Sequence, residues 1–137
     1  ETLIKDCGLY KSKAKNLIAT CQILVDRYHG EVPREFDQLV ELPGVGRKTA
    51  NVVVSVLFGT PAIAVDTHVF RVSNRLKLGI AKTPEEMEQK LQKAIPKKDW
   101  AAAHHWLIYH GRRLCKARKP LCNECFLNHL CPSAGKV

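Results

Sequence analysis

Four cysteines near the end of the chain constrain it more than any other feature. Cys115, Cys122, Cys125 and Cys131 follow the pattern C-x6-C-x2-C-x5-C in the last quarter of 137 residues. Thiolates this close in sequence can converge on one metal centre, because they are the soft ligands that zinc and iron–sulfur clusters select. Two structural disulfides would need an oxidising compartment, usually announced by a secretory signal. No apolar segment of that kind is visible. The thiolates suit a tetrahedral zinc ion or a [4Fe–4S] cluster, and spacing alone does not separate the two. Zinc knots more often pair two C-x2-C knuckles, whereas one knuckle here is flanked by two lone cysteines, which tilts the reading toward the cluster. Cys7 and Cys21 stand apart, in or beside apolar patterns, and are expected to be small buried residues.

Charge points to a polyanion. The chain carries 22 Lys and Arg against 13 Asp and Glu, a formal charge of +9. Arg112, Arg113, Lys116, Arg118 and Lys119 fall within eight residues without one acid, around the first of the four cysteines. Phosphates attract such a patch, and the counterions they release favour binding. Hydrophobic residues make up 45% of the sequence, enough for a packed interior, and no stretch reaches the length of a membrane span.

Periodicity is helical throughout. Ser12 is placed to cap a helix whose stripe runs Ala14, Leu17, Ile18, Cys21, Val25 and Tyr28 and which Gly30 ends. A short helix follows Pro33 through Phe36, Leu39 and Val40, and another covers about Arg47 to Phe58. Asp66 is placed to cap a helix bearing Val69, Phe70, Val72 and Leu76. Thr83-Pro84-Glu85-Glu86 has the capping-box pattern with proline at the first helical position, and opens a helix through Met87, Leu91 and Ile95. Asp99 is placed to cap the last, which carries Ala103, Trp106, Leu107 and His110. No period-2 strand or hairpin signal is present, so the fold class is all-α. The expected organisation is a helical domain over 1–98, followed over 99–137 by a C-terminal helix and the cysteine region.

Leu42-Pro43-Gly44-Val45-Gly46 joins the short helix to the next, giving a helix–hairpin–helix over about 35–58. Amides of Val45, Gly46 and Arg47 at a helix N-terminus are orphan donors that phosphate oxygens can take up, although a plain helix–helix turn would use the same glycines. Lys48 follows in the first turn, where the helix dipole disfavours a cation and eases loss of its proton, as a nucleophilic lysine requires. An exposed phosphate-binding lysine is the other reading. Asp66, in Ala64-Val65-Asp66-Thr67-His68, is either a plain N-cap or a carboxylate that stabilises positive charge in a site shared with Lys48. His104 and His105 are adjacent, cannot chelate as an i, i+4 pair, and read as packing or hydrogen-bonding residues.

Leu42 to Asn51 (LPGVGRKTAN), Val65 to Arg71 (VDTHVFR) and the cysteine tail together resemble the endonuclease III family, the iron–sulfur branch of the helix–hairpin–helix DNA glycosylases. The resemblance runs from about Ile4 to Cys131. It implies that Lys48 is the nucleophile and Asp66 the second catalytic residue. It also implies that Cys115, Cys122, Cys125 and Cys131 hold a [4Fe–4S] cluster, and that Leu9, in the Gly-Leu-Tyr turn, is a wedge inserted into the duplex. Gly44, Val45, Gly46, Arg47, Lys116, Arg118 and Lys119 would contact DNA. Relatives specific for mismatched adenine carry serine at the position of Lys48, and certain thymine-mismatch enzymes carry tyrosine, so lysine implies base removal followed by strand cleavage. The implied substrates are oxidised or ring-saturated pyrimidines and abasic sites in double-stranded DNA, with no membrane partner. The implied location is an intracellular reducing compartment, cytoplasmic and nucleoid-associated in a bacterium.

That scheme moves protons rather than electrons, so the cluster reads as structural. A non-catalytic DNA-binding module with a structural metal is the competing function. The family's chains extend further at the N-terminus; were these 137 residues the entire molecule, apolar faces of the helices beginning near Ser12, Arg47 and Asp99 should be left uncovered.

Overall fold

Every regular element in a computed structural model of the chain, which describes residues 1–137, is helical. Six α-helices follow one another: α1 Tyr10–Tyr28, α2 Phe36–Val40, α3 Arg47–Phe58, α4 Thr67–Leu76, α5 Pro84–Ala94 and α6 Trp100–Arg113. Short 3-10 turns cover Thr2–Ile4, Lys97–Asp99, Cys122–Glu124 and Asn128–Leu130. The all-α expectation is met, and no helix is long and apolar enough to cross a membrane.

Local chemistry sets most boundaries. Thr83 accepts the amide of Glu86, with Pro84 opening α5, while Glu86 reaches back to the amide of Lys82 rather than to that of Thr83. Two expected caps are displaced. Ser12 lies inside α1, which begins two residues earlier because Leu9 takes the N-cap position in the left-handed region at φ 59°. Asp99 precedes α6, but its side chain caps nothing. The 3-10 turn ending at Asp99 runs directly into the helix, and Trp100 pins that joint by donating its Nε1–H to the carbonyl of Ile95 at 2.9 Å.

Buried side chains form two clusters. One core joins Ile63, Val65, Val69 and Val72 to Met87 and Leu91 of α5 and to Ala103 and Leu107 of α6. Thus α6 lies against α4 and shares its interior. A second core holds Leu39, Leu42, Ala50, Val54 and Ala62, with Ile23, Leu24 and Tyr28 of α1 packed on it. The segment between α3 and α4 passes from one core to the other, Ala62 facing the second and Ile63 the first.

Leu17, Ile18 and Val25 on α1, Val56 and Leu57 on α3, and Trp106 and Tyr109 on α6 are exposed. Cys7 and Cys21, expected to be buried, are exposed. Cys21 belongs to the exposed stripe of α1, because the helix packs through Ala14, Ile23, Leu24 and Tyr28 instead.

Candidate functional site

The turn after α2 is shaped from within. Thr20 donates its hydroxyl to the carbonyl of Pro43, and Gly44 adopts φ +77° against α1. A Cβ at Gly44 would stand 2.5 Å from Nδ2 of Asn16, so this position needs glycine on both counts. The amide of Val45, expected free, donates to the carbonyl of Leu42 at 3.0 Å and closes the turn. Gly46 differs from Gly44. Its φ of −89° suits any residue, and a Cβ there would meet nothing within 4 Å. Its amide and that of Arg47 have no internal acceptor and open the N-terminus of α3.

Lys48 lies in the first turn of α3, exposed. The molecule's two ion pairs are Arg47–Glu88 and Lys90–Glu86, so its amine is paired with no carboxylate. Gly46, Arg47 and Lys48 form one side of a cleft whose other walls are Val65, Pro84, Glu85 and Glu88. Arg47 is committed inward: its Nε and Nη2 donate to both oxygens of Glu88 at 2.8 and 2.9 Å, and its guanidinium lies 5.2 Å from the centre of the Phe36 ring. The carboxylate of Glu88, hydrogen-bonded to it, raises the Arg47 pKa further above its ordinary value. The pair ties up Nε and Nη2, while the side chain as a whole stays half exposed. Glu88 is the residue the sequence reading missed. Its signal was an acid falling inside the apolar stripe of α5, one step from Met87 and three before Leu91.

Asp66 follows Val65 and caps α4. Its Oδ1 accepts the amides of His68 and Val69, both at 2.8 Å, and Oδ2 accepts neither. His104 of α6 is buried, and its ring nitrogen Nδ1 stands 2.7 Å from the carbonyl oxygen of Ala64. A carbonyl only accepts, so Nδ1 carries the proton. Burial lowers the pKa of His104, and the charges of Lys48 and Asp66 both act on it, in opposite senses. Lys48 and Asp66 are thus each within electrostatic reach of His104. Leu9, at the exposed start of α1, projects its side chain into solvent, 81% accessible.

The four cysteines form no disulfide and line one hollow, walled by Leu76, Leu114, Leu121 and His110. Four thiolates on one largely apolar hollow are placed to share one metal centre. A four-iron cluster takes each thiolate on a different iron, so a ring of thiolates around an apolar hollow fits it. Arg75 donates from Nη1 to Cys115 Sγ at 3.4 Å, which offsets thiolate charge. Arg75 also holds the carbonyls of Lys116 and Ala117 at 2.7 and 3.1 Å, and Arg71 holds those of Gly111 and Cys115. Two arginines of α4 therefore strap down the start of the basic loop. Lys116, Arg118 and Lys119 are exposed beyond them, Lys119 at φ 51°.

A sequence-family model described as the HhH-GPD superfamily of base excision DNA repair proteins matches residues 1–97, and the iron–sulfur binding domain of endonuclease III matches residues 115–131. Endonuclease III of Rickettsia conorii is 56% identical over 128 residues, spanning 93% of this chain and 61% of that protein. That of Escherichia coli K12 is 53% identical over 137 residues, spanning 100% and 65%. Among solved structures, a trapped endonuclease III–DNA covalent intermediate superposes with a TM-score of 0.90 at 55% identity, over 96% of this chain and 62% of that one. A thermostable thymine-DNA glycosylase gives 0.82 at 28% identity, over 98% and 64%. The chain therefore spans less than two thirds of the length of the relatives it matches.

Proposed function

Since the chain belongs to the HhH-GPD superfamily of base excision DNA repair proteins, we propose that it excises oxidised pyrimidines from double-stranded DNA and cleaves abasic sites through a lysine Schiff base. The observation that carries this reading is Lys48: an unpaired amine at the N-terminus of α3, on a cleft whose opposite wall leads into Asp66.

The damaged nucleotide leaves the stack, a step that costs a few kcal/mol and less where pairing is already weak. The amides of Gly46 and Arg47 receive a backbone phosphate at the helix N-terminus. Leu9 occupies the space the base vacates. The lone pair of Lys48 Nζ then attacks C1′ of the sugar, the bond from C1′ to the base breaks, and the base departs with its electron pair. Ring opening gives an iminium between Nζ and C1′, which makes the C2′ proton acidic. Loss of that proton and cleavage of the C3′–O bond expel the 3′ phosphate, and water frees the lysine. The carboxylate of Asp66 stabilises the cationic sugar while its Oδ1 keeps α4 capped.

The cofactor is a [4Fe–4S] cluster, and Cys115, Cys122, Cys125 and Cys131 are the proposed ligands. Holding it through those thiolates would tie down the segment that follows α6. Lys116, Arg118 and Lys119 on that segment are proposed contacts to phosphates, adding affinity without reading sequence. The bacterial relatives support a place beside the chromosome, in a reducing compartment.

Borohydride added during incubation with abasic-site DNA tests the reading. A covalent adduct is expected with the parent protein and none with Lys48→Gln. No adduct with the parent would make the protein a binding module.

A further inference from the structure

The cleft between Lys48 and Asp66 lies between two separately packed bodies. Helix α3, with Lys48 in its first turn, is anchored by Ala50 and Val54 in one core. Helix α4, capped by Asp66, and α5 are anchored by Val69, Met87 and Leu91 in the other. The relative placement of the two functional groups is therefore set by whatever joins the cores at that edge. Beyond the covalent segment from Gly59 to Asp66 there is one long hydrogen bond, Asn51 Nδ2 to the carbonyl of Ile63 at 3.5 Å. There is also one ion pair between residues distant in sequence, Arg47 with Glu88. The backbones of α3 and α5 otherwise touch little.

We propose that Glu88 is a positioning residue: by gripping Arg47 through two parallel hydrogen bonds, it fixes the first turn of α3 against α5 and so aims Lys48 across the cleft. This rests on Lys48 being the nucleophile. Stability does not account for the pair. The side chain of Glu88 is 6% exposed and that of Arg47 49%. Exchanging a buried pair for apolar residues of similar volume is often neutral or stabilising, because desolvation offsets the attraction. What the planar guanidinium fork adds is direction, since it binds a carboxylate at one distance and in one plane. The Phe36 ring beneath the guanidinium and Gln92 beside the carboxylate, at 3.4 Å, restrict both partners further. Arg47 immediately precedes Lys48, so the grip fixes the rotation of α3 where the amine emerges.

The test compares Glu88→Gln and the double variant Arg47→Met/Glu88→Leu with the parent in the full protein, each confirmed folded by circular dichroism. Single-turnover cleavage is measured at saturating abasic duplex, and Kd on a duplex carrying an uncleavable tetrahydrofuran abasic analogue. Displacing a reacting group by about 1 Å can slow a reaction about 100-fold. A loss on that scale in the saturated rate is expected in both variants, with the Kd of Glu88→Gln unchanged and the double variant melting no lower than the parent. The double variant decides the matter if Glu88→Gln does not fold. Cleavage by the folded double variant at the parent rate, or a loss carried wholly by Kd, would overturn the proposal while leaving the nucleophile in place. A parent that forms no borohydride adduct would remove both.

Discussion

The imidazole of His104 donates to the carbonyl of Ala64 at 2.7 Å, two residues ahead of Asp66. It tethers α6 to the segment that delivers the carboxylate, and burial keeps it neutral. Folding thus depends on a histidine that resists protonation.

Stability should consequently fall in acid. The folded pKa of His104 is depressed by burial, so the unfolded chain takes up the proton first, near its ordinary value of about 6.5. The stabilisation is complete above that pH and is lost as pH falls through the folded pKa. Between about pH 7 and pH 5 the parent should lose more Tm than His104→Asn, which keeps a donor and cannot titrate in that range. Parallel curves for the two proteins would contradict this.

Asp66→Asn should separate capping from chemistry. Asparagine caps about as well as aspartate, and both capping amides go to Oδ1 alone, so Tm should move little. Removing the charge should lower base excision by about 100-fold or more, the scale on which deleted electrostatic stabilisers act. Borohydride trapping on pre-formed abasic sites should persist, because Lys48 is intact. Unchanged excision with a lowered Tm would reduce Asp66 to a cap.

The two glycines of the hairpin should respond in opposite ways. Gly44→Ala forces a Cβ against Asn16 at φ +77° and should destabilise the fold. At Gly46 the entropy gain of about 0.4–1 kcal/mol is offset by alanine's poorer capping, of similar size, so Gly46→Ala should leave Tm near the parent's. Its DNA affinity should nonetheless drop, because the methyl occupies the space a phosphate approaches. Fluorescence anisotropy on a short duplex would show it, and equal affinity would mean that no phosphate comes near.

Arg118→Glu with Lys119→Asn should weaken binding to all duplexes alike. Asparagine suits Lys119 because it tolerates the left-handed backbone found there. The slope of log K against log salt should shrink by about one unit for each phosphate no longer neutralised. An unchanged slope would place the loop away from DNA.

How much of this was readable depended on range. Asp66 and Thr83 were legible as caps because a cap acts within three residues, and α3 began at Arg47 as expected because the hairpin precedes it. Ser12 failed because the left-handed Leu9 started α1 earlier, and Asp99 because a 3-10 turn ran into α6. Periodicity gives a helix its apolar stripe but not its partner, which is why Cys21 proved exposed while Ile23 and Leu24 pack. The grip of Glu88 on Arg47 spans 41 residues, and that of Arg75 on Ala117 spans 42. No local pattern encodes either.

The straps from α4 bear on how the cysteine segment is held. Arg71 and Arg75 bind the carbonyls of Cys115, Lys116 and Ala117, and Ser133 donates its hydroxyl back to the carbonyl of Arg75. Both ends of the cysteine segment are therefore moored to one helix by protein hydrogen bonds. These bonds at both ends of the segment offset part of the entropy of closing it. Helix α4 is thus a mooring post for the cysteine segment, and slack in either arginine would be felt at thiolates far along the chain.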